Sequence, residues 1–369
     1  MQIDVINLNN YVLPNVVVNV GTKFILNGDN NSFFKYIEER YNGSPTNAGI
    51  IKSYVNYIIG QGLSDRSGIN VNKYISKTDL RLICNDFKLY GQYAVQVIWS
   101  QGSKILKEEP KPLLIKHIPV NKIGFNQDRM GNIDGYWYSF DWENKARYKP
   151  QLFQKFDGIY KDNPIEIFYV KSISSQPYFA TPDYLSGLQY AHLEEELSNA
   201  AINHVLNGFS AGKIINVIGG SNPSEELKEE YRRQILSKLT GSNNTNKAII
   251  SYSNGIEGGE IKVENLEPTQ YDEIFTNFTE LAERKIFAAH SVTNPILFGI
   301  RDGSGLGSNK DEMIQALKTL YQSNINPMRE VIIDGLEYVL KFIEPNIQLE
   351  FKDFEDLIVD STTQNNPVQ

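Results

Sequence analysis

The segment 303–310 offers the strongest hint of chemistry in the sequence, because it reads Gly-Ser-Gly-Leu-Gly-Ser-Asn-Lys and resembles a loop that cradles phosphate. A P-loop, however, requires a glycine directly before its lysine, and Asn309 stands there. The segment also follows a helical pattern and a proline-containing turn, whereas a P-loop follows a strand. The spacing therefore argues against a nucleotide site.

The remaining candidate catalytic and metal-binding groups are scattered. No pair of histidines has the spacing that places two zinc ligands one helical turn apart, and we expect core or interface positions for His117, His192, His204 and His290. An acidic cluster near the C-terminus is interleaved with apolar residues, which predicts the solvated side of a strand and turn: Asp353, Glu355, Asp356 and Asp360. We therefore predict no catalytic residues, no metal site and no cofactor.

Composition sets the class of protein. The chain has 369 residues with 36 Lys and Arg against 44 Asp and Glu, a formal net charge of −8. This acidic balance argues against a protein that grips nucleic acid by bulk positive charge. The single cysteine, Cys84, excludes an internal disulfide and falls on an apolar helical stripe, which predicts a core position. The sequence shows no signal peptide and no apolar run of membrane-spanning length, so we expect a soluble protein made in a cytoplasm.

The first 180 residues have an α+β pattern. Ser44-Pro45 opens a predicted helix that Gly60 ends, and Ser76 to Asp79 resembles a capping box for a second helix that ends at Gly91. After Gly91 the apolar period changes from 3.6 to 2, which predicts a half-buried strand at 93–99. Further predicted strands lie at 113–120, 135–142 and 165–170.

From residue 181 long helices dominate. Predicted helices at 183–206 and 271–291 flank an insert of strands and one helix, so the chain leaves on one helix and returns on the other. A glycine-rich stretch follows, and then a helix at 310–342 in which Pro327 should cause a kink. Two such helices with a distal module would expose much side-chain surface in a monomer, and a ring of copies would bury it.

Three motifs, in this order and spacing, resemble the portal proteins of tailed phages of the HK97 type. The first is a helix ending Gly-Gln-Gly-Leu at 60–63, followed by Asp-Phe-Lys-Leu-Tyr-Gly-Gln-Tyr-Ala at 86–94. The second is Gly-Leu at 187–188, entering a long helix that ends in Val-Leu-Asn-Gly-Phe-Ser-Ala-Gly-Lys-Ile at 205–214. The third runs from Phe287 to Gly299 and precedes Ser-Asn-Lys at 308–310 and Ile-Asn-Pro-Met at 325–328. The resemblance extends over about residues 45–350.

The resemblance implies an α+β portal fold with a wing, two stem helices, a small α/β clip inserted between them, a tunnel loop and a kinked helix. The implied boundaries are 1–182 for the N-terminal part of the wing, 183–208 and 268–292 for the stem helices, 209–267 for the clip, 293–309 for the tunnel-loop region, 310–360 for the kinked helix and returning wing strand, and 361–369 for a disordered tail. Because so little chain follows the last strand, we expect the crown of larger portals to be minimal or absent.

The resemblance also implies a function. Portals form a ring, usually of twelve subunits, at one capsid vertex, where double-stranded DNA passes through the channel. The implied partners are other copies of the chain, the terminase large subunit, the major capsid and scaffolding proteins, and head-completion adaptor or tail proteins, with no membrane. The implied location is the virion, and the host cytoplasm during assembly.

The residues expected to face the channel form the tunnel loop: Arg301, Asp302, Gly303, Ser304, Gly305, Leu306, Gly307, Ser308, Asn309 and Lys310. Their small and polar side chains should deform as the duplex slides, and the two basic end residues are the candidate phosphate contacts. On the clip, a basic helix face is a candidate surface for the motor or adaptor, and as a charged exterior it could equally have no partner: Lys228, Arg232, Arg233 and Lys238.

Two alternatives from other classes stay open at this point. One is an enzyme, either a phosphate-handling protein that uses the 303–310 loop or a metal-dependent hydrolase that uses the C-terminal carboxylates. The other is a non-enzymatic surface or carbohydrate-binding protein, suggested by 21 Tyr and 18 Phe. Tyrosines spread through amphipathic segments are usually core and interface residues, which weighs against the second alternative.

Overall fold

The computed structural model describes residues 23–100, 102, 109–161, 163–206, 213–219, 248–254, 260–265, 271–300 and 310–353. The chain divides into two compact units. The first comprises residues Met1–His192 and Arg284–Gln369, and the second comprises Leu193–Glu283.

The described part of the chain contains both helices and strands. The α-helices are α1 (Ser32–Gly43), α2 (Pro45–Ile59), α3 (Lys77–Tyr90), α4 (Leu188–Leu206), α5 (Tyr271–Ala289), α6 (Lys310–Leu320) and α7 (Asn326–Leu340). The strands are β1 (Gly62–Asp65), β2 (Gln92–Trp99), β3 (Pro112–Ile118), β4 (Ile123–Gln127), β5 (Ile133–Tyr138), β6 (Gln151–Lys155), β7 (Ile165–Lys171), β8 (Lys213–Gly219), β9 (Ala248–Asn254), β10 (Glu260–Asn265) and β11 (Leu349–Lys352).

Helices α2 and α3 begin and end where local chemistry predicts. The Ser44 hydroxyl accepts a hydrogen bond from the Asn47 amide at 3.1 Å and caps α2. The Ser76 hydroxyl accepts one from the Asp79 amide at 3.0 Å and caps α3. Gly91, with φ of 73°, ends α3 in the left-handed conformation that glycine adopts without strain.

A six-stranded sheet in the order β3-β2-β7-β6-β5-β4 forms the centre of the first unit. Strand β2 pairs with β3 and β7, and its residues Gln92, Tyr93, Ala94 and Val95 are all buried. The expectation of a half-buried strand was wrong for this part of β2, because a central strand with helices packed against it has little face left for solvent.

Two strands of this sheet were not predicted, and one predicted strand is shorter. Strands β4 and β6 carry no clear apolar alternation, and most of β6 is exposed. The strand predicted at 135–142 ends at Tyr138, after which the Trp142 indole donates to the Lys122 carbonyl at 3.0 Å. Near the start of the described residues, Ile25 forms a single antiparallel bridge with Phe125 of β4.

Strands β1 and β11 form a separate two-stranded antiparallel sheet. The Gly-Gln-Gly-Leu segment that ends α2 therefore also starts a strand, in which Gly62 pairs with Lys352 and Asp65 pairs with Leu349. This pairing connects the helix end to β11, the last described strand.

The helix predicted at 310–342 is interrupted just before its proline. A π-helical turn, Tyr321–Ile325, separates α6 from α7, and Pro327 lies in the first turn of α7. Proline has no N–H to donate to the carbonyl four residues earlier, at Ser323, which lies inside the π turn. The irregularity agrees with the predicted position, and the kink at Pro327 stays a prediction.

The predicted start of the first long helix was wrong. We expected residue 183, but α4 begins at Leu188, after a 3-10 turn at Leu185–Gly187. The reason is that the Asp183 carboxylate accepts hydrogen bonds from Lys88, and Tyr184 has φ and ψ of −96° and 20°, outside the helical region.

The described part of the second unit is a three-stranded sheet in the order β10-β8-β9, with the remaining parts of α4 and α5. Strands β8 and β9 are parallel, and β10 is antiparallel to β8. A parallel pair requires a crossover connection. The residues that connect β8 to β9, including the helix predicted there, lie outside the described residues.

The apolar face predicted for α3 is confirmed as core. Leu80, Ile83, Cys84, Phe87 and Tyr90 are all buried. Burial raises the pKa of the Cys84 thiol to about 12, so this thiol stays protonated and unreactive.

Gly335 in α7 provides a first test of this packing. A Cβ atom built on Gly335 would lie 2.2 Å from the Tyr93 hydroxyl oxygen and 2.7 Å from a methyl carbon of Val170. A Cβ on Gly49 in α2 would meet nothing within 4 Å. Because alanine improves helix propensity equally at both sites, the overpacking cost should make Gly335→Ala less stable than Gly49→Ala by about 1–3 kcal/mol in urea unfolding. Equal stability of the two variants would show that Gly335 does not need its close contact with β2.

Candidate functional site: the helix junction

Within the first unit, the start of α4 and the end of α5 lie against each other. A Cβ atom on Gly187 would lie only 2.7 Å from the Cβ of Ala289, so the absent side chain allows the two helix ends to approach. Next to this contact is a polar and aromatic cluster, buried except for the Asp183 carboxylate, that we call the helix junction: Asn47, Tyr54, Lys88, Asp183, Tyr184 and His290.

Lys88 provides the charge of the helix junction. Its side chain is 0% exposed, and its ammonium group donates to the two Asp183 carboxylate oxygens at 2.8 and 3.0 Å. The same nitrogen lies 4.0 Å from the ring centroid of Tyr54 and 5.4 Å from that of Tyr184. Burial lowers the pKa of Lys88, and the Asp183 carboxylate opposes this effect. One carboxylate and two aromatic rings thus stabilise a buried cation.

His290 provides the aromatic contact between helix ends. It is 1% exposed, and its ring stacks on Tyr184 with centroids 4.4 Å apart. Its Nε2 lies 2.8 Å from the Asn47 side-chain oxygen, and its carbonyl accepts a hydrogen bond from the Tyr54 hydroxyl at 2.6 Å. Burial, and next the charge of Lys88, hold the pKa of His290 well below its usual range. The ring is therefore neutral, with Nε2–H donating to Asn47.

The other histidines fit the expectation of satisfied positions where their side chains are described. The His117 Nε2 lies 2.8 Å from an Asp86 carboxylate oxygen in a buried pair. The His192 Nδ1 contacts the Arg40 guanidinium. The side chain of His204 lies outside the described residues.

The segments on either side of residues 301–309 are both anchored on α2. Before them, the Tyr57 hydroxyl donates to the Leu297 carbonyl, and Phe298 packs on Tyr54 with ring centroids 5.2 Å apart. After them, the Asn324 side-chain amide, in the π turn, donates to the Tyr54 hydroxyl at 3.2 Å. Tyr54 therefore contacts both flanks as well as Lys88.

Arg329 connects α7 to the end of α2 and to the chain after β11. It is buried and donates to the carbonyls of Ile58 and Tyr57, at 2.9 Å each, and to an Asp353 carboxylate oxygen at 2.5 Å. Asp353, which we predicted on a solvated face, is thus partly exposed but committed to an ion pair. The other acidic residues of that cluster lie outside the described residues.

Of the residues predicted for the tunnel loop and the clip surface, only Lys310 lies within the described part of the chain. Arg301, Asp302, Gly303, Ser304, Gly305, Leu306, Gly307, Ser308 and Asn309 lie outside the described residues, as do Lys228, Arg232, Arg233 and Lys238. Lys310 is the first residue of α6, and its side chain is not described. The channel-facing loop and the motor-facing surface therefore stay predictions.

The sequence did not predict the helix junction, although its parts come from motifs that it singled out. Lys88 belongs to the 86–94 motif, and His290 belongs to the motif at 287–299. The signal available was a lysine one turn after Cys84 on the apolar stripe of α3, which we did not use.

The described residues contain no group of three or more His, Cys, Asp or Glu side chains arranged to hold a metal ion. Across the same part of the chain, no helix is both long and apolar enough to cross a membrane.

The pH dependence of stability tests the environment of His290. Because its pKa is lower in the folded protein than in the unfolded chain, its contribution to stability is complete above about pH 6.5 and is lost as the pH falls below that value. Between about pH 7.5 and 5.5 the wild type should lose about 1 kcal/mol more unfolding free energy than His290→Gln, which has no ring to protonate. Equal losses in the two proteins would mean that His290 is protonated without cost in the folded state.

Comparison with known proteins places this architecture. No family model matches the chain. A probable portal protein of Haemophilus phage HP1 (strain HP1c1) is 22% identical over 269 residues, which cover 72% of this chain and 69% of that protein.

Solved structures give a fold match over most of the chain. A chain in the neck of a native gene transfer agent (GTA) particle, computed with C12 symmetry, has a TM-score of 0.57 at 14% identity and covers 88% of this chain and 84% of its own length. A chain in the virion of the native GTA particle has a TM-score of 0.56 at 14% identity, and the match covers 86% of this chain and 83% of that one. An HK97 family phage portal protein from Corynebacterium diphtheriae has a TM-score of 0.49 at 9% identity, and the match covers 85% of this chain and 94% of that one.

These comparisons confirm two of the expectations. The chain has the mixed helix and sheet fold that its sequence predicted, and this fold is similar to that of chains in GTA particles. The resemblance of the chain to phage portal proteins is also confirmed, since the match to the Haemophilus phage HP1 protein covers 269 residues.

Proposed function

We propose that the chain is a portal subunit, which assembles into a ring at one capsid vertex and forms the channel for packaging and ejection of double-stranded DNA. The observation that carries this proposal is the fold, which matches a chain in the neck of a particle computed with C12 symmetry over 88% of this chain. The sequence likeness to a probable portal protein supports it independently. The expected ring has about twelve subunits and is a component of the virion.

The helix junction suits a subunit that has to withstand force. It fixes the adjoining ends of α4 and α5, the two helices that lead to the second unit, and Tyr54 also contacts both flanks of residues 301–309. A cluster that combines a buried lysine with its carboxylate partner, stacked rings and hydrogen bonds has few alternative arrangements. In this proposal, α4 and α5 are the stem helices, residues 209–267 form the clip and the junction is their fixed base.

The charge of the chain suits a conduit. Each phosphate that a basic residue neutralises adds affinity, and a channel that binds DNA tightly would slow its passage. The net charge of −8 opposes such binding. In this proposal the tunnel loop faces the channel, and Arg301 and Lys310 make sparse phosphate contacts.

The remaining partners follow from the same proposal. The terminase large subunit docks on the clip, with Lys228, Arg232, Arg233 and Lys238 as candidate contacts, and head-completion adaptor or tail proteins take its place later. Major capsid and scaffolding proteins surround the ring. The chain itself performs no catalysis and needs no cofactor.

The native mass of the purified 42.0 kDa chain, with negative-stain imaging of the same sample, tests the assembly. Rings of about twelve copies around an open channel are the expected result. The same measurement on Lys35→Ala, an exposed residue away from the helix junction, provides a control for handling of the sample. A monomer that binds a nucleotide or a metal ion stoichiometrically would overturn the portal proposal in favour of the enzyme alternative.

A further inference from the structure

A cavity of about 250 Å³ lies beside strand β1 in the first unit. Its walls come from β1, from the 3-10 turn Val71–Lys73, from the first turns of α3 and from Lys352. This volume is many times the roughly 30 Å³ of one water molecule, so the cavity has room for apolar side chains. Nothing in the proposed function uses it.

The lining of the cavity combines apolar residues with two lysines and with five polar residues: Gln61, Ser64, Asn70, Asn72 and Ser76. The apolar wall residues are Leu63, Ile69, Val71, Ile75 and Leu80. Lys77 and Lys352 also line the cavity, and both residues are exposed. An occupant should therefore combine apolar side chains with carboxylates.

Within the described residues, strand β1, which contributes to the cavity wall, has one unpaired edge. In the described part of the chain, β1 pairs with β11 on one side only. An unpaired strand edge presents backbone groups that favour the addition of another extended segment. The occupant should thus be able to adopt an extended conformation.

The chain that follows β11 has the required composition. Residues 354–360 read Phe-Glu-Asp-Leu-Ile-Val-Asp, with four apolar and three acidic side chains and no basic one. This segment begins one residue after Asp353, which Arg329 holds, and two residues after Lys352, which lines the cavity. Leu357 is five residues after Lys352, which itself lines the cavity, and five extended residues span up to about 17 Å.

We propose that residues 354–360 dock intramolecularly into this cavity, with Leu357 against its apolar wall residues and Glu355 and Asp356 near Lys77 and Lys352. The short connection to Lys352 makes docking intramolecular, and the resulting effective concentration favours this segment over the same segment of another copy. Docking covers the open edge of β1 and protects it from pairing with another chain.

Disulfide trapping in the full-length chain tests this docking. Asn72 lines the cavity, whereas the neighbouring Lys73 is exposed and does not line it. Asn72→Cys with Leu357→Cys should form an intrachain disulfide at least about tenfold faster than Lys73→Cys with Leu357→Cys, because docking raises the effective concentration of the first pair alone. The native Cys84 does not interfere, since it is fully buried and its thiol pKa is raised to about 12.

The products are read on a non-reducing gel and by mass spectrometry of the linked peptides. An intrachain 72–357 product in excess over 73–357 supports the proposal. Equal rates for the two pairs would overturn it. Linked dimers as the main product would overturn it too, because they assign the cavity to the segment of another copy.

A charge exchange at Lys77 tests the proposed ionic contacts separately. In the Asn72→Cys/Leu357→Cys background, Lys77→Glu should slow disulfide formation several-fold, because the new carboxylate would repel those of Glu355 and Asp356. Adding Asp356→Lys should restore the rate. A Lys77→Glu variant that reacts at the original rate would contradict the proposed contacts.

Discussion

Asp183→Asn is expected to lower the unfolding free energy by about 3–5 kcal/mol, one of the two largest effects that the structure predicts. The substitution keeps the shape of the side chain but leaves the Lys88 ammonium, which is 0% exposed, without the ion-pair partner that it has among the described residues. A buried charge without a counter-ion either stays charged at high cost or loses its proton. Urea unfolding at neutral pH measures the effect.

Substitution of the partner residue, Lys88, should lower the unfolding free energy much less. Lys88→Met fills a similar volume with an apolar chain, and Asp183, whose side chain is 44% exposed, can be hydrated after the lysine is lost. We therefore expect Lys88→Met in the Asp183→Asn background to restore most of the lost stability. An exposed pair provides the matched control: Glu143→Gln breaks the contact with Lys35 and should change stability by about 0–1 kcal/mol.

The pH dependence distinguishes a buried charge from a packing defect. Burial already lowers the pKa of Lys88, and loss of Asp183 removes the group that opposes this shift. A folded-state pKa below the unfolded value means that stability is lost as the pH falls, so the Asp183→Asn variant should gain stability from about pH 7 to 9 relative to the wild type. A variant that is as stable as Glu143→Gln at every pH would show that the ion pair contributes nothing.

Helix α3 illustrates how far the sequence predicts this region. Its capping serine, its terminal glycine and its apolar stripe are local signals, and the structure confirms all of them. Lys88 lies on the same inward side, but lysine is almost always exposed unless it is paired. Its partner, Asp183, is 95 residues away, and no local pattern relates the two positions. The helix was therefore predictable and the helix junction was not.

The same distinction explains the errors in the strands and in α4. Strand β6 consists mainly of exposed residues, and its place is set by pairing with β5 and β7, which its own sequence does not encode. The start of α4 moves to Leu188 because Asp183 is committed to Lys88. In each case a contact between distant segments overrides a local preference.

The order of motifs was more informative than any single motif. The 86–94 motif contributes Lys88 to the helix junction, and the 287–299 motif contributes His290 and the contacts of Leu297 and Phe298. These segments are far apart in sequence, and the structure brings them together around Tyr54. The motifs at 86–94 and 287–299 thus meet in one packed region of the first unit.

Deletion of residues 302–308 is expected to abolish DNA packaging while rings still assemble. The physical reason is that the deletion removes the proposed channel-facing loop but none of the residues of the helix junction, whose contacts hold the flanking segments through Tyr54 and Tyr57. The measurement is the number of nuclease-protected genomes in heads assembled with the variant, together with imaging of the isolated rings.

Replacement of residues 302–308 by seven glycine and serine residues is the matched control, because it keeps the length and the small polar character that sliding DNA requires. This variant should package DNA, whereas the deletion should not. Packaging by the deletion variant at the wild-type level would remove the loop from the proposed mechanism. If both variants failed to package while forming rings, the particular side chains would matter, and Leu306, the only apolar residue within 302–308, would be the first to restore.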